Sequence, residues 1–331
     1  MRVLITGPDG LLGSAIVRCL IEDGHDTRVL VQPDRDSGTL SGLPVETCVG
    51  DILDATAVRD AVRGVDAVIH AAASTSIWPP RSPRVREVNI EGTRNLLDAA
   101  EHAGISRFVH IGTANSFAPG SKEQPGDERG SYVGARYGLD YMDSKYEAQK
   151  LVLARASDGR LPALTVNPTF MIGPYDATPS SGTMLIRLCQ GRIPGYTSGG
   201  KSWIDSRDVA RAACNALTLG RTGESYIAGN ENLSYREFFE KAAAVMGVQA
   251  PARAIPRSVS LIIGTLASGV SSLTRKPPLI SRAVARLGTE DHYYSAAKAR
   301  RELAMPTTPV ERAVEDCFAW LRDHGYLEGE R

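Results

Sequence analysis

Apolar residues fill the first short stretch, "RVLIT" at residues 2–6, and stop at Gly7. A run of β-forming residues bounded by glycine reads as a buried strand. The next stretch, "LLGSAIVRCLIEDG", puts apolar residues at helical spacing and halts at Gly24, a C-cap signal. The alternation then repeats. "TRVLVQ" and "VDAVIHAAA" read as strands on either side of a helical "DATAVRDAVRG". "NIEGTRNLLDAAEHAG" is helical, "RFVHIGTA" a strand, "YGLDYMDSKYEAQKLVLARA" helical and "LPALTVNP" a strand. Strands separated by single helices pair in parallel through right-handed crossovers, which predicts an α/β fold with a doubly wound parallel sheet.

After Pro168 the regularity weakens. "GPYDATPSSG" and "GRIPGYTSGGKS" are loop-like, and "WIDSRDVARAACNALTLG" reads as a strand end and a helix. From "NLSYREFFEKAAAVMG" onward the pattern is mostly helical, broken at Pro251, Pro256, Pro277 and Pro278. This tail is either helical packing around the sheet or a smaller domain closing over a ligand. Within it, "SVSLIIGTLASGV" is too short and too rich in Ser and Gly to span a bilayer. A plain packing helix, a lid, or a flap touching a membrane at residues 259–271 all remain open.

Composition narrows the class. The 331 residues are 42% hydrophobic and 23% charged with zero formal net charge, which gives no reason to expect nucleic acid as a partner. Five scattered cysteines without CxxC spacing argue against a disulfide framework or a metal site and fit a reducing, cytoplasmic setting. The strand-like start "MRVLITG" lacks the pattern of a secretory leader, and no transmembrane segment is expected.

Between the first strand and the first helix lies "TGPDGLLG", with Gly7, Gly10 and Gly13. Glycines at a strand-to-helix junction let a dinucleotide pyrophosphate approach the backbone, and the helix N-terminus offers free N–H groups. The spacing is GxxGxxG rather than the GxGxxG fingerprint. Its position predicts a Rossmann dinucleotide site over residues 1–167 plus about 203–228. The substrate-binding unit would then be residues about 168–202 plus 229–331. The second strand ends "VLVQPDRD": Val31 and Gln32 occupy the strand end, and Asp34 and Arg35 follow. An acid there suits a ribose hydroxyl and an arginine suits a 2′-phosphate. Arg35 inclines the reading to NADP(H), with NAD(H) possible. In "GDILD", Asp51 is placed to accept from an adenine amino group, whereas Asp54 better suits a helix start.

In this order, "TGPDGLLG", "GDILD", "HAAA", "VNIEGTRNLL", "YMDSK" and "NPTFMIGP" resemble the short-chain dehydrogenase/reductases. The likeness is to the extended branch of nucleotide-sugar epimerases and dehydratases, dihydroflavonol 4-reductase-like enzymes and 3β-hydroxysteroid dehydrogenases. It covers nearly the whole chain. It implies that Gly7, Gly10, Leu11, Leu12 and Gly13 bind pyrophosphate, Gln32 and Arg35 the ribose side, and Asp51 with Ile52 the adenine. Ala71, Ala72 and Ala73, with Asn89, Asn167 and Pro168, would line the ribose and nicotinamide. The family's catalytic hydroxyl falls on Thr113, preceded here by Gly112 where a second hydroxyl residue is usual; Ser116 is a fallback. The family often dimerises through helices matching residues 92–103 and 139–156, so a homodimer is expected.

Three Tyr–Lys pairs stand four residues apart: Tyr141–Lys145, Tyr146–Lys150 and Tyr294–Lys298. A phenol with a pKa of about 10 is a poor acid–base group near neutrality, and a lysine one helical turn away can lower it. Context selects Tyr141 and Lys145. Thr113 precedes them at a strand end, Ser144 stands beside the lysine as in the family motif, and Asn167–Pro168 follow. Tyr146 would then be a packing tyrosine and Lys150 solvated, while Tyr294–Lys298 lies far from the strand ends. Trp78, Ser116, Phe170, Met171, Tyr175 and Tyr196 would form a fairly apolar substrate pocket. Ser202 stands where nucleotide-sugar enzymes carry an arginine, a poor diphosphate cradle. The reading is therefore an NAD(P)H-dependent oxidoreductase acting on a carbonyl or alcohol. The alternatives are a nucleotide-sugar epimerase or dehydratase with tightly held NAD, and a nicotinamide-binding regulator without turnover.

Overall fold

The run "RVLIT" forms β1 (Arg2–Thr6) at the middle of a sheet. It does so in a computed structural model that describes residues 1–35, 37–274, 276–278 and 280–327. The last four residues of the expected second domain lie outside the described residues. α1 (Leu11–Glu22), β2 (Asp26–Val31), β3 (Glu46–Val49), α2 (Ala55–Val62) and β4 (Ala67–His70) follow. A single turn, α3 (Pro83–Arg86), passes through a widened π turn at Glu87–Glu91 into α4 (Gly92–Ala103). β5 (Arg107–Ile111), α5 (Asp140–Ser157) and β6 (Ala163–Pro168) complete the alternating part. Next come β7 (Phe170–Ile172), α6 (Gly182–Cys189), β8 (Gly200–Asp205), α7 (Ser206–Asn215), β9 (Ser225–Ala228) and β10 (Glu231–Ser234). The remainder is α8 (Tyr235–Met246), α9 (Arg257–Thr274), α10 (Arg282–Gly288), a short β11 (Asp291–His292), α11 (Ala297–Glu302) and α12 (Val310–Asp323).

Seven strands pair in parallel in the order β3-β2-β1-β4-β5-β6-β9. Val3 and Ile5 join a core with α1 and α7, while Leu4 joins the opposite core with α2, α4 and α5. Successive strand residues thus meet helices on both faces, which is why the strands read as continuous apolar runs rather than alternating ones. The strand order reverses between β1 and β4, whose ends Thr6 and His70 are in register. The loops leaving these ends open a crevice at the switch point.

β8 is the centre of a second, smaller sheet, antiparallel to β10 and parallel to β7 and β11. Its core is Trp203, stacked on Phe238 at 3.6 Å between ring centroids, with side chains of α6, α8 and α12 around it. α8 opens with a full capping box, Ser234 and Glu237 each bonding the other's backbone N–H. β8 pairs wholly within the small sheet, while its Ile204 packs in the core of the large one. Ala296, Ala299, Leu303 and Met305, near the C-terminus, pack in a core of the large sheet. A short apolar run does not say which sheet or core it joins; only the partners across it do.

Candidate functional site

The first contribution comes from the loop joining β1 to α1. Gly7 has φ +67°, and a Cβ there would stand 2.8 Å from the backbone of Ala72. A Cβ on Gly13 would stand 1.9 Å from the Gly7 carbonyl oxygen. Both glycines are therefore required by the fold itself. Gly10 is different: the nearest atom to a Cβ there is 3.9 Å away, and the residue caps α1 without any side-chain hydrogen bond. The open N–H groups of α1 face outward over Gly10, the donor set that a pyrophosphate needs. A dinucleotide fits this end of the crevice.

At the neighbouring strand ends, Gln32 Nε2 donates to Asp51 Oδ2 at 3.2 Å. The other Asp51 oxygen accepts the Leu53 N–H at 2.9 Å, and Arg84 reaches to 3.6 Å. Asp54 caps α2, accepting from the backbone of Thr56 and Ala57, so the two acids of "GDILD" have separate tasks. Ile52 packs under Gly92 of α4. Arg35 is half exposed and ion-paired with Asp9 of the glycine loop, beside Asp34 in a left-handed conformation at φ +60°.

Beneath Ala71–Ala73 runs a buried polar chain that sequence reading missed. Thr93 Oγ1 donates to the Asn89 carbonyl at 2.6 Å, so it must accept from His70 Nε2 at 3.0 Å. His70 Nδ1 then accepts from Thr6 Oγ1 at 2.8 Å, and Thr6 Oγ1 in turn accepts the Ala72 N–H. The hydrogen bonds thereby settle the tautomer. Burial holds the His70 pKa down at about 3, with the Lys145 charge acting the same way. Asn89, aimed by the π turn, donates to the Ser74 carbonyl and to Ser144 Oγ, and accepts the Ser74 N–H at 2.7 Å. Those partners are remote in sequence, so no local spacing announces them.

The structure brings Thr113 and Tyr141 into contact. The Thr113 hydrogen bond pulls the phenol pKa down, while burial, the larger effect, pushes it up. Lys145 is buried and donates to the Ile111 carbonyl at 2.6 Å; burial lowers its pKa to about 8. Burial is the larger influence on the phenol. Asn167 Oδ1 accepts the Thr113 N–H at 3.2 Å. A Cβ on Gly112 would lie 2.0 Å from that same oxygen, which accounts for glycine in place of a second hydroxyl residue.

The other two pairs have different surroundings. Tyr146 stacks on Tyr132 at 4.2 Å, with Lys150 5.0 Å over its ring. Tyr294 precedes α11 rather than sitting on a helix with Lys298. It lies nearer the Thr113 loop than its sequence position suggested, its phenol donating to the Phe117 carbonyl at 3.4 Å. Lys298 instead pairs with Glu224 at 2.6 Å.

The residues expected to line the substrate pocket have varied immediate neighbours. Ser116 is buried with its hydroxyl unpartnered near Thr113. Phe170 meets the edge of Trp203 at 4.9 Å, and Met171 packs on the large core. Tyr175 lies under the Arg18 guanidinium at 3.9 Å, and the Tyr196 backbone pairs with that of Ala254. Trp78 is half-buried in its own loop, its carbonyl accepting from Ser76. Tyr141 itself packs against Tyr137, Leu139 and Met142, as do Ala283 and Leu287 of α10. The only sequence signal for this packing was "YVGARYGL" ahead of α5. Ser202, the candidate diphosphate position, is buried with its hydroxyl unpartnered. Lys201 is held down to about 8 by burial.

With the geometry set out, known proteins can be compared. A sequence model of the NAD dependent epimerase/dehydratase family matches residues 3–229. The chain is 30% identical to sterol demethylase protein B of Methylococcus capsulatus, over 99% of this chain and 100% of that one. It is also 30% identical to a 3-beta-hydroxysteroid dehydrogenase of Mycolicibacterium neoaurum, over 97% and 92% of the two chains. The crystal structure of gox2253 superposes with a TM-score of 0.86 at 32% identity, covering 98% of each chain.

Proposed function

The chain belongs to the NAD-dependent epimerase/dehydratase family, and from that premise we propose that it is an NADPH-preferring reductase of a fairly apolar ketone or aldehyde, able to oxidise the alcohol in reverse. The observation that carries this reading is the buried Tyr141 phenol within hydrogen-bonding reach of Thr113, its side chain packed against Tyr137, Leu139 and Met142. Its pKa is raised by burial, so the phenol stays protonated near neutrality and is set up as an acid. Apolar neighbours on that side suit a substrate with little charge. The names of two relatives, which point to sterol and steroid chemistry, support an apolar substrate.

Gly10 and the start of α1 would hold the pyrophosphate, Asp51 with Ile52 the adenine, Arg35 the 2′-phosphate, and Asn89 with Ala71–Ala73 the nicotinamide end. When bound there, the nicotinamide supplies a hydride for the carbonyl carbon. Tyr141 gives its proton to the carbonyl oxygen, completing the alcohol, and Thr113 turns its hydroxyl to the same oxygen. Lys145 holds the ribose side and supplies positive charge as the phenolate forms. His70 and Asn89 keep the floor of the site fixed. The outer faces of α4 and α5 would pair two copies of the chain.

The test follows NADPH absorbance with a panel of apolar ketones and aldehydes and with UDP- and dTDP-sugars. Net consumption with a ketone is expected. Tyr141→Phe should lower kcat by about 10²–10⁴-fold with NADPH binding intact. Sugar interconversion without net cofactor use, or full activity in Tyr141→Phe, would overturn the reading.

A further inference from the structure

The packing of α9 is inverted. Its buried face is built of small residues: Ser260, Gly264 and Ser271 are buried, and a Cβ on Gly264 would stand 2.7 Å from the Ala285 Cβ of α10. Ser268 Oγ accepts the Arg282 N–H at 2.8 Å. The bulky aliphatic residues point the other way. Val259, Ile262, Ile263, Leu266, Val270 and Leu273 recur at three- and four-residue spacing and so form one stripe. Ile262 is 59% exposed, Leu266 66% and Leu273 87%. A stripe of this length at the surface marks contact with something apolar.

The charge in this stretch of the sequence has one sign. From Arg253 to Arg286 the sequence holds six cations (Arg253, Arg257, Arg275, Lys276, Arg282 and Arg286) and no acid, in a chain of zero formal net charge. Arg286 is paired with Glu290 at 3.1 Å, and Arg257 approaches the same carboxylate at 3.9 Å. Among the described residues, no carboxylate is within ion-pair reach of Lys276 or Arg282.

We infer that the outer face of α9 docks on the surface of an anionic lipid bilayer, with the aliphatic stripe among acyl chains and the cations among headgroups. No helix among the described residues is long and apolar enough to cross a membrane, so the contact is peripheral. A second copy of the chain suits this face less well, because a two-fold contact would set these cations against themselves. The inner side of the same hairpin reaches the site: Ala283 and Leu287 of α10 pack on the same cluster as Tyr141. The bilayer therefore lies one hairpin away from the phenol, and an apolar substrate enters from the lipid side; that last step rests on the reductase reading.

The experiment is flotation of the full chain with vesicles of phosphatidylcholine alone or mixed with phosphatidylglycerol. The protein floats with the anionic vesicles, less so in high salt, and stays behind with phosphatidylcholine alone. Ile262→Glu with Leu266→Glu weakens partitioning about tenfold or more. Lys276→Glu with Arg282→Glu weakens it at least about fivefold. Leu219→Glu, at an exposed site elsewhere, leaves it unchanged, and circular dichroism confirms that each variant is folded. Absence of flotation on anionic vesicles, or flotation that the α9 variants do not weaken, overturns the inference. So does a dimer that dissolves with Leu266→Glu in a protein that ignores vesicles. The reductase reading is judged separately, by NADPH oxidation with a water-soluble ketone and no vesicles. The α9 variants leave that rate unchanged, and its absence in the unmodified protein would sink the reductase while docking stands.

Discussion

Lys145 is buried, donates to the Ile111 carbonyl, and has its pKa lowered to about 8. Its charged form is thus disfavoured by folding. The unfolded chain keeps its proton up to a pKa near 10.4, so between pH 8 and pH 10.4 it binds more protons than the folded chain. Stability gains from this group as pH rises through that window, and the full penalty acts below pH 8. Thermal melts of Lys145→Met without cofactor should therefore show a variant-minus-native Tm difference that falls steadily between pH 8 and pH 10. A flat difference would mean the ammonium is solvated after all. Arg35 supports a second residue-level expectation. It stands half exposed beside the glycine loop, so Arg35→Ala should weaken NADPH binding by about tenfold while leaving NADH nearly unaffected; titration with both cofactors decides. Gly10, Tyr141 and Lys145 could be singled out one by one from their spacing, and Thr113 from the family resemblance. His70, Thr93 and Asn89 were not legible as a group, since their mutual bonds cross between strand, helix and π turn.

At the level of elements, the meeting of β5 with β6 explains the departure at Gly112. Asn167 approaches so closely that a Cβ would stand 2.0 Å from its side-chain oxygen. Gly112→Ser, which would restore the hydroxyl usual in the family, should cost about 1–3 kcal/mol in denaturant unfolding. It should also lower kcat more than it changes KM, because Thr113 is displaced. Unchanged stability and rate would show that Asn167 moves aside freely. The strands and helices of the alternating half were legible because most of the strands are buried on both faces and each helix ends at a glycine or cap; the largely exposed edge strand β3 is the exception. The partners of β8 were not legible, because a six-residue strand of mixed character, "GKSWID", carries no address.

Over the whole molecule, two bodies of packing share the work: the cores around the parallel sheet, and a separate one around Trp203 and Phe238. Trp203→Ala should remove about 3–5 kcal/mol from the smaller core. Carbonyl reduction should be impaired while the NADPH-dependent rise in Tm remains, as read by thermal shift with and without cofactor. Loss of the cofactor response as well would mean that the two bodies unfold as one. The sequence alone determined the doubly wound sheet and the glycine loop, because those depend on local periodicity and on backbone geometry at fixed offsets. Tertiary structure alone decided which residues pack against Tyr141, which sheet β8 joins, and that the aliphatic side of α9 faces outward. Each of these is set by contacts between segments far apart in the chain, and a helix's own sequence shows that it has an apolar face without showing what that face meets.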